Sequence, residues 1–421
     1  MTKIGIIGTG VAGLHLGLYL QQQGVAVTLY GDRTPEEIWA SRLPNTVARF
    51  ERTRARERLL GVNHWDCPEF EPREFRVRAV GPAPLAITGR LKWPISFMDM
   101  RLYEAILLED YVKRGGEFEL GAVQVADLPR LARQHELLVV AAGRSALARI
   151  FPRRPEGSPF HRPQRLLFAG LFHGIPPTQP AFMSLNISPM AGEIFQAPFY
   201  TAEGWVSNLL FEGLPGGPFE PLLRIRYEDD PGHFEATVLD LVREHAPAVY
   251  ERIDPAAFRL TGPKDYLQNG IVPTARLAYA PLEDGRYVMA IGDAFVLNDP
   301  INGQGANLAS ECAWMLGQAI LEDRALDASF CQELDARMWN HARKVFEWSN
   351  QSMLPPPPQV QELLFAASQV PAIADDLFGS FQAPARAWEI HCSPEGARAF
   401  LRQHGWQGPA PLLAEAVSQP A

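Results

Sequence analysis

The sequence predicts an α/β fold: a parallel sheet interrupted in the chain, a second domain on an antiparallel sheet, and a helical C-terminal segment. Three observations carry this. Residues 3–32 read as strand, glycine-rich turn, helix and strand. Two later apolar runs, 137–143 and 287–293, end in or near glycine as central parallel strands do. Between them, from about residue 165 to 227, alternating residues have the period of half-buried strands.

In the opening unit, Ile4, Ile6 and Ile7 form a short apolar run. Gly8-Thr9-Gly10-Val11-Ala12-Gly13 follows, then helical spacing to about Gln23 and a strand over 26–30. This is a Rossmann-like dinucleotide fingerprint. The first glycine permits the tight turn, the second lets backbone approach a pyrophosphate, and the third lets helix pack on strand. Unpaired N–H groups at the helix start then face the diphosphate. Asp32, 19 positions past Gly13, is the acid placed to reach an adenosine ribose.

Residues 41–47 read as a loop beside the ligand, and the stretch from Arg42 to Arg58 is rich in arginine. Residues 62–95 carry short alternating pieces, 75–80 and 85–88, and read as a strand excursion. Leu102, Ile106, Leu107 and Tyr111 have helical spacing, stopped by Gly115-Gly116. In the alternating region, Met183, Leu185 and Ile187 are set against Ser184 and Asn186, and Val206 and Leu210 against Asn208 and Glu212. Residues 233–245 form an amphipathic helix, another runs from about 304 to 321, and the remainder is helical around Pro355-Pro356-Pro357-Pro358. The expected division is 1–60, 96–160 and 265–325 for the nucleotide domain, 61–95 and 161–264 for the sheet domain, and 326–421 for the helical region.

Composition excludes several classes. With 47% hydrophobic and 21% charged residues the 421-residue chain matches a soluble globular protein. A formal net charge of -9 argues against nucleic acid or an anionic membrane as partner. No apolar run is long enough for a bilayer, and the strand at the start leaves no room for a signal peptide, so a cytoplasmic protein is expected. The four scattered cysteines form no CxxC, and the ten histidines no HExxH, so no metal site is expected. Walker and GxSxG motifs are absent.

The second informative stretch is Gly292-Asp293 through Asn307, a strand end, a loop and a helix start. Asp293 can accept hydrogen bonds from a polyol chain. N–H groups around residues 303–307 can bind a polarised carbonyl or an anionic ring. With residues 141–145 and the N-terminal motif, this resembles the FAD-dependent aromatic hydroxylase superfamily. The likeness extends to the oxygenase component of two-component styrene and indole monooxygenases. GTGVAGLHLGLYL, LYGDR, RLPNTVA, DMRLYEAIL, LLVVAAG and DPINGQGAN follow that family's order and spacing over most of the first 320 or so residues.

The resemblance implies the aromatic hydroxylase fold, with a discontinuous Rossmann-like FAD-binding domain and an antiparallel-sheet substrate domain. It implies FAD, supplied reduced, held by Gly8, Gly10, Val11, Ala12 and Gly13, with Asp32 and Arg33 toward the adenosine. Arg42, Leu43, Ala142, Gly143, Gly292 and Asp293 complete the cofactor contacts, with Pro300, Gly303, Gly305, Ala306 and Asn307 at the ring. Reaction of reduced FAD with O2 gives a C4a-peroxide, from which oxygen passes to a small aromatic by epoxidation or hydroxylation. Asn45, Pro300 and Gln304 are the implied catalytic residues, the Asn45 amide meeting the peroxide or the substrate. Read alone, Asn45 is also a turn former after Pro44. Val47, Arg49, Phe75, Ile95, Ile301 and Asn302 are the expected substrate pocket.

Departures from the family pattern narrow the expectation. Gly31 stands where the ribose acid usually sits, and Ala142-Gly143 replaces the Asp-Gly pair that single-component hydroxylases link to NAD(P)H. No second nucleotide fingerprint is present, so an NADH:FAD oxidoreductase is the expected partner. Arg49 replaces a histidine, Ile95 a small polar residue and Asn302 an aliphatic one, and the family's Tyr and His near Pro72 and Phe75 are missing. A single-component hydroxylase, a flavin-dependent halogenase and a non-catalytic flavoprotein are the alternatives. A homodimer is kept open.

Overall fold

The computed structural model describes residues 3–81, 84–143, 146–155, 157–322 and 324–408. Arg144 and Ser145, and the end of the 326–421 segment, lie outside the described residues. The first sheet has six strands in the order Tyr279–Pro281, Tyr287–Ala290, Leu137–Val140, Lys3–Ile7, Ala26–Gly31, Glu117–Leu120. All pair in parallel except the edge hairpin of Tyr279–Pro281 with Tyr287–Ala290. Ile4, Ile6, Val139 and Val140 are fully buried because helices cover both faces. Chain order reverses between Lys3–Ile7 and Leu137–Val140, the position where open α/β sheets leave a crevice at their carboxyl ends. Helix Val11–Gln22 packs on helix Gly305–Ile320 beside that crevice, with Tyr19 stacked on Trp314.

The second sheet runs Arg259–Leu260, Leu166–His173, Gly204–Gly213, Gly192–Thr201, Phe182–Ser188, Glu74–Ala79, Leu85–Arg90, with Tyr266–Gly270 also paired to Leu166–His173. It is antiparallel apart from one parallel pair, Phe182–Ser188 with Glu74–Ala79. Tyr266–Gly270 also belongs here, so the chain leaves this sheet after Gly270 and not at 265.

Alternation predicts a sheet buried on one face, but both faces are buried. Helix Pro231–His245 covers one, placing Phe234, Val238 and Val242 on Phe168, Leu209 and Phe211. Val206, Asn208, Leu210 and Glu212 share parity, hence one face, and all four are buried. The polar members are therefore interior residues, not a solvated edge of the pattern.

The C-terminal helices Pro358–Gln369 and Pro371–Gly379 cover the hairpin of the second sheet. Ile373, Ala374, Leu377 and Phe378 join a core with Phe75, Val77 and Ile87. Contact at Gly89 is tight: a Cβ there would lie 2.5 Å from the Phe378 ring and 2.6 Å from the Ala374 carbonyl oxygen. Among the described residues, no helix is long and apolar enough to cross a membrane.

A buried acid pair joins the two sheets. Asp299, on the loop after Val296–Leu297, accepts from the Ile301 N–H through Oδ1, and it faces Glu212 of the second sheet. Burial pushes both carboxyls up, Asp299 to about 7 and Glu212 well above its ordinary value; Asp299 and Glu193 push Glu212 further up against Arg165, whereas on Asp299 the Ile301 N–H, Arg165 and the hydrogen bond with Glu212 oppose the rise. Asp299 Oδ2 and both Glu212 oxygens have no donor among the described residues, and a proton held between them supplies one.

Two outcomes follow from this packing. Gly89→Val should lift the C-terminal helices off the hairpin, so limited proteolysis should cut the variant after about residue 354 while sparing wild type; identical digestion patterns would contradict that seating. The acid pair binds protons more tightly folded than unfolded, so its stabilisation is complete at low pH and is lost as pH rises through about 7. The melting temperature of wild type should fall between about pH 5.5 and 8.5 by several degrees, and Glu212→Gln should flatten the fall. Parallel curves for the two proteins would show that the pair is not the titrating element.

Candidate functional site

One cavity of about 750 Å³ runs from the carboxyl edge of the first sheet to the space between the second sheet and the C-terminal helices. That is within the usual range for small-molecule sites. At its outer end lie Tyr30, Asp32, Arg33, Ala122 and Val123. Asp32 is exposed, and its carboxylate sits 3.5 Å from Arg33 Nε. The acid's displacement by one residue has a steric cause. A Cβ at Gly31 would lie 2.8 Å from Thr9 Cγ2 and 3.0 Å from the Phe118 ring, so no side chain fits there.

Gly8, Gly10, Val11 and Ala12 line the next portion, with Gly143 and Asp293 across from them. Gly8 has φ +115°, and a Cβ on Gly13 would stand 1.9 Å from the Gly8 carbonyl oxygen. Gly13 lies beneath the loop and outside the cavity lining, holding helix to strand. Gly10 is different: around a Cβ placed there, only Glu104 Oε1 comes within 4 Å, at 3.8 Å. Protein packing does not require glycine at 10, whereas close approach of a diphosphate does.

Helices Val11–Gln22 and Gly305–Ile320 both begin at the cavity, and neither has a side-chain cap. By contrast, Asp99, Asp230 and Asp327 cap helices elsewhere. Two sets of unpaired N–H groups and two positive helix ends thus face the same space. Glu104 also faces it. Burial pushes its carboxyl up to about 8, Arg33 opposing and Asp99 assisting, so it is mostly protonated at neutral pH and can donate a hydrogen bond to an anion.

The middle of the cavity lies between two loops, Asn45 to Ala48 on one side and Pro300 to Gly303 on the other. Val47, Ile301, Asn302, Gly305 and Ala306 line it, as do Ala142 and Gly292. Asn45 Oδ1 is buried with no partner among the described residues, and Asn298 has neither amide atom paired. Beyond the loops the walls become apolar: Phe75, Ile95, Met183, Phe195, Leu210 and Leu267. Phe378 and Phe381 close this chamber, their rings 4.8 Å and 5.7 Å from that of Phe75.

Five other expected site residues lie outside the lining and support it. Arg42 pairs with Glu228 and lies over the Tyr266 ring, while the Leu43 N–H donates to the Lys264 carbonyl, both on the far side of their loop. Arg49 does not meet the pocket. It is buried behind the loop, donating to Glu57 at 2.6 Å and Ser96 at 2.7 Å, over the Tyr103 ring. Only a buried carboxylate satisfies so buried a guanidinium, and Glu57 is that partner. Tyr103 in turn donates to Glu57 and contacts His15 at 2.6 Å, and His15 reaches Ser310 at 2.9 Å. Burial lowers His15 to about 4, so it is a neutral core histidine.

Gln304 donates to the carbonyls of Asn302 and Phe381, tying the turn to the C-terminal roof. Asn307 donates to Ala48 and Gly303 carbonyls and accepts from Phe50 N–H and Thr53 hydroxyl, locking both loops together. Sequence reasoning missed Glu104, Asn208, Phe378 and Phe381 as cavity residues. For Asn208 a signal existed, its shared parity with Leu210; for the two phenylalanines, helical spacing marks a buried face but not what it covers. Among the described residues, no three His, Cys, Asp or Glu side chains gather to hold a metal ion.

Comparison with known proteins agrees with this architecture. Residues 143–252 match the family model described as "Styrene monooxygenase A putative substrate binding domain". The solved flavoprotein/dehydrogenase from Cytophaga hutchinsonii shares the fold, with a TM-score of 0.67 at 13% identity over 96% of this chain and 99% of its own. Styrene monooxygenase StyA of a Pseudomonas species is 39% identical over 397 residues, 93% of this chain and 96% of that protein. The StyA of Pseudomonas fluorescens is 38% identical over 406 residues, 96% and 98% of the two chains. At that identity and coverage, this chain belongs to the styrene monooxygenase family.

Proposed function

We propose that the protein is the oxygenase half of a two-component flavin monooxygenase, using reduced FAD and O2 to oxygenate a small aromatic such as a styrene-like alkene or indole. One observation carries this reading: a single cavity begins at a dinucleotide loop and ends in an apolar chamber. The family relationship supports it, since the relatives are named styrene monooxygenases. A separate NADH:FAD oxidoreductase as partner is supported by the single fingerprint and by Ala142-Gly143 at the mid-chain strand end.

The residues present fit a flavin dinucleotide. The open space at Gly10 and the uncapped helix start at Val11 suit a diphosphate, with the Glu104 acid as a further donor. Asp293 suits the polyol chain, and the uncapped start of helix Gly305–Ile320 suits the electron-rich end of the ring system. When bound and reduced, the flavin supplies the activation of O2. The chain's own work is then to exclude water, hold the substrate and keep a polar group at the reacting end. Phe75, Phe378 and Phe381 give the chamber an aromatic wall, which suits the exclusion of water from the reacting atoms. The unpartnered Asn45 carboxamide is in place to hydrogen-bond a polar atom that develops there.

Protein mixed with chemically reduced FAD, O2 and an aromatic panel, without reductase, NADH or halide, should yield oxygenated product. Absence of product across the panel would remove the oxygenase assignment, and a halide requirement would replace it with halogenation. Asn45→Ala should lower the fraction of O2 converted to product roughly tenfold, with peroxide released instead and FAD affinity held. Unchanged coupling would leave Asn45 a turn residue.

A further inference from the structure

One acid stands beside the glycine loop without a partner. Glu104 belongs to helix Met100–Lys113 and lines the cavity. Its Oε1 lies 3.8 Å from the place a Gly10 Cβ would take, on the path by which a diphosphate approaches that glycine. The carboxyl makes no hydrogen bond or ion pair among the described residues, and neither oxygen is closed off inside the packing. Buried acids elsewhere are held by a cation or a donor: Glu57 by Arg49 and Tyr103, Asp99 by Arg101, Asp335 by Arg154. The charged groups around Glu104 are few. Arg33, on the loop after strand Ala26–Gly31, attracts it, but is shared with Asp32. Asp99, at the head of its own helix, repels it, and Asp293 lies across the cavity. Helix Val11–Gln22 brings His15, which is neutral and engaged with Tyr103 and Ser310. An ionised carboxyl in this place would repel a diphosphate, whereas the acid form offers it an O–H.

We infer that Glu104 binds the cofactor from outside the glycine fingerprint, donating a hydrogen bond to the FAD diphosphate in its acid form, so that FAD and a proton bind together. This deepens the reading above and rests on FAD being the cofactor. Where the carboxyl has lost its proton, binding takes one up from solvent; where it is still protonated, none moves. Burial holds the carboxyl at about 8 in the free protein, and a neighbouring diphosphate raises it further. The bound form has the higher value, so affinity is full below about pH 8 and falls as pH rises through it.

FAD binding is followed by quenching of flavin fluorescence across this range, below the pH at which the flavin ring itself loses a proton. Calorimetry at the alkaline end, in two buffers of different ionisation enthalpy, counts the protons. Wild type should bind FAD about tenfold more weakly at about pH 9 than at about pH 7, and take up about one proton per FAD at the higher pH. Glu104→Gln keeps a donor and cannot ionise. It should bind FAD at neutral pH with nearly the wild-type affinity, hold that affinity to about pH 9 and take up no proton. Glu104→Ala should be equally flat but about tenfold weaker throughout, and serves should the glutamine variant not fold. Wild-type affinity that is level over the range, with no proton uptake, would overturn the inference. So would a pH dependence that survives in both variants, which would place the proton on another group. Failure of wild type to bind FAD at any pH would overturn the cofactor reading and this inference with it. If proton-linked binding holds but no aromatic is oxygenated by the reduced complex, the oxygenase reading fails and the role of Glu104 stands.

Discussion

The middle of the cavity depends on one half-buried carboxamide. Asn307 joins the loop ending at Phe50 to the turn ending at Gly303, through four hydrogen bonds that use both of its polar atoms. Neither loop has a long ladder of its own; the strand Ala48–Arg49 is two residues long. Without Asn307, the carbonyls of Ala48 and Gly303 and the Phe50 N–H would lose these partners, at a cost on the order of 1–3 kcal/mol for each buried group left unpaired. The Arg49–Glu57–Tyr103–His15 chain stiffens the same loop from behind, so the separation of the walls is held at both sides.

Polar groups are distributed unevenly around this frame. Behind the cavity the Arg49, Glu57, Tyr103 and His15 side chains are joined to one another, while along it Asn45, Asn208 and Asn298 hold amide atoms unpaired among the described residues, and two helices start without side-chain caps. Natural interiors tolerate such groups chiefly where a ligand completes them. The arrangement also separates chemistry along the cavity: positive helix ends at the anion end, amides in the middle, aromatic rings at the far end. An elevated Glu104 carboxyl belongs with the first of these, since a neutral acid at that place does not repel an anion.

Much of this was legible in the residues. The 3–32 unit and the 292–307 stretch have rigid local requirements, a steric turn and a helix start, which leave unmistakable spacing. Residues whose roles depend on distant partners did not. Arg49 stands where the family resemblance implies a pocket residue, yet Glu57 eight positions later turns it inward. Asn307 and Gln304 looked like ligand contacts, and their amides instead bind loop and roof carbonyls. The roof itself was unreadable, because the apolar stripe of helix Pro371–Gly379 does not say which sheet it covers. Asn208 and Glu212 read by residue type as the polar side of an alternating strand, although parity places them with Val206 and Leu210.

The central claim is that a single cavity holds flavin and aromatic ligand at once, one at each end. Titration of FAD into protein saturated with indole tests this most directly. One FAD should bind per chain with its affinity retained or raised, and the indole should stay bound. Simple competition, with FAD displacing indole in proportion to its own binding, would contradict the account.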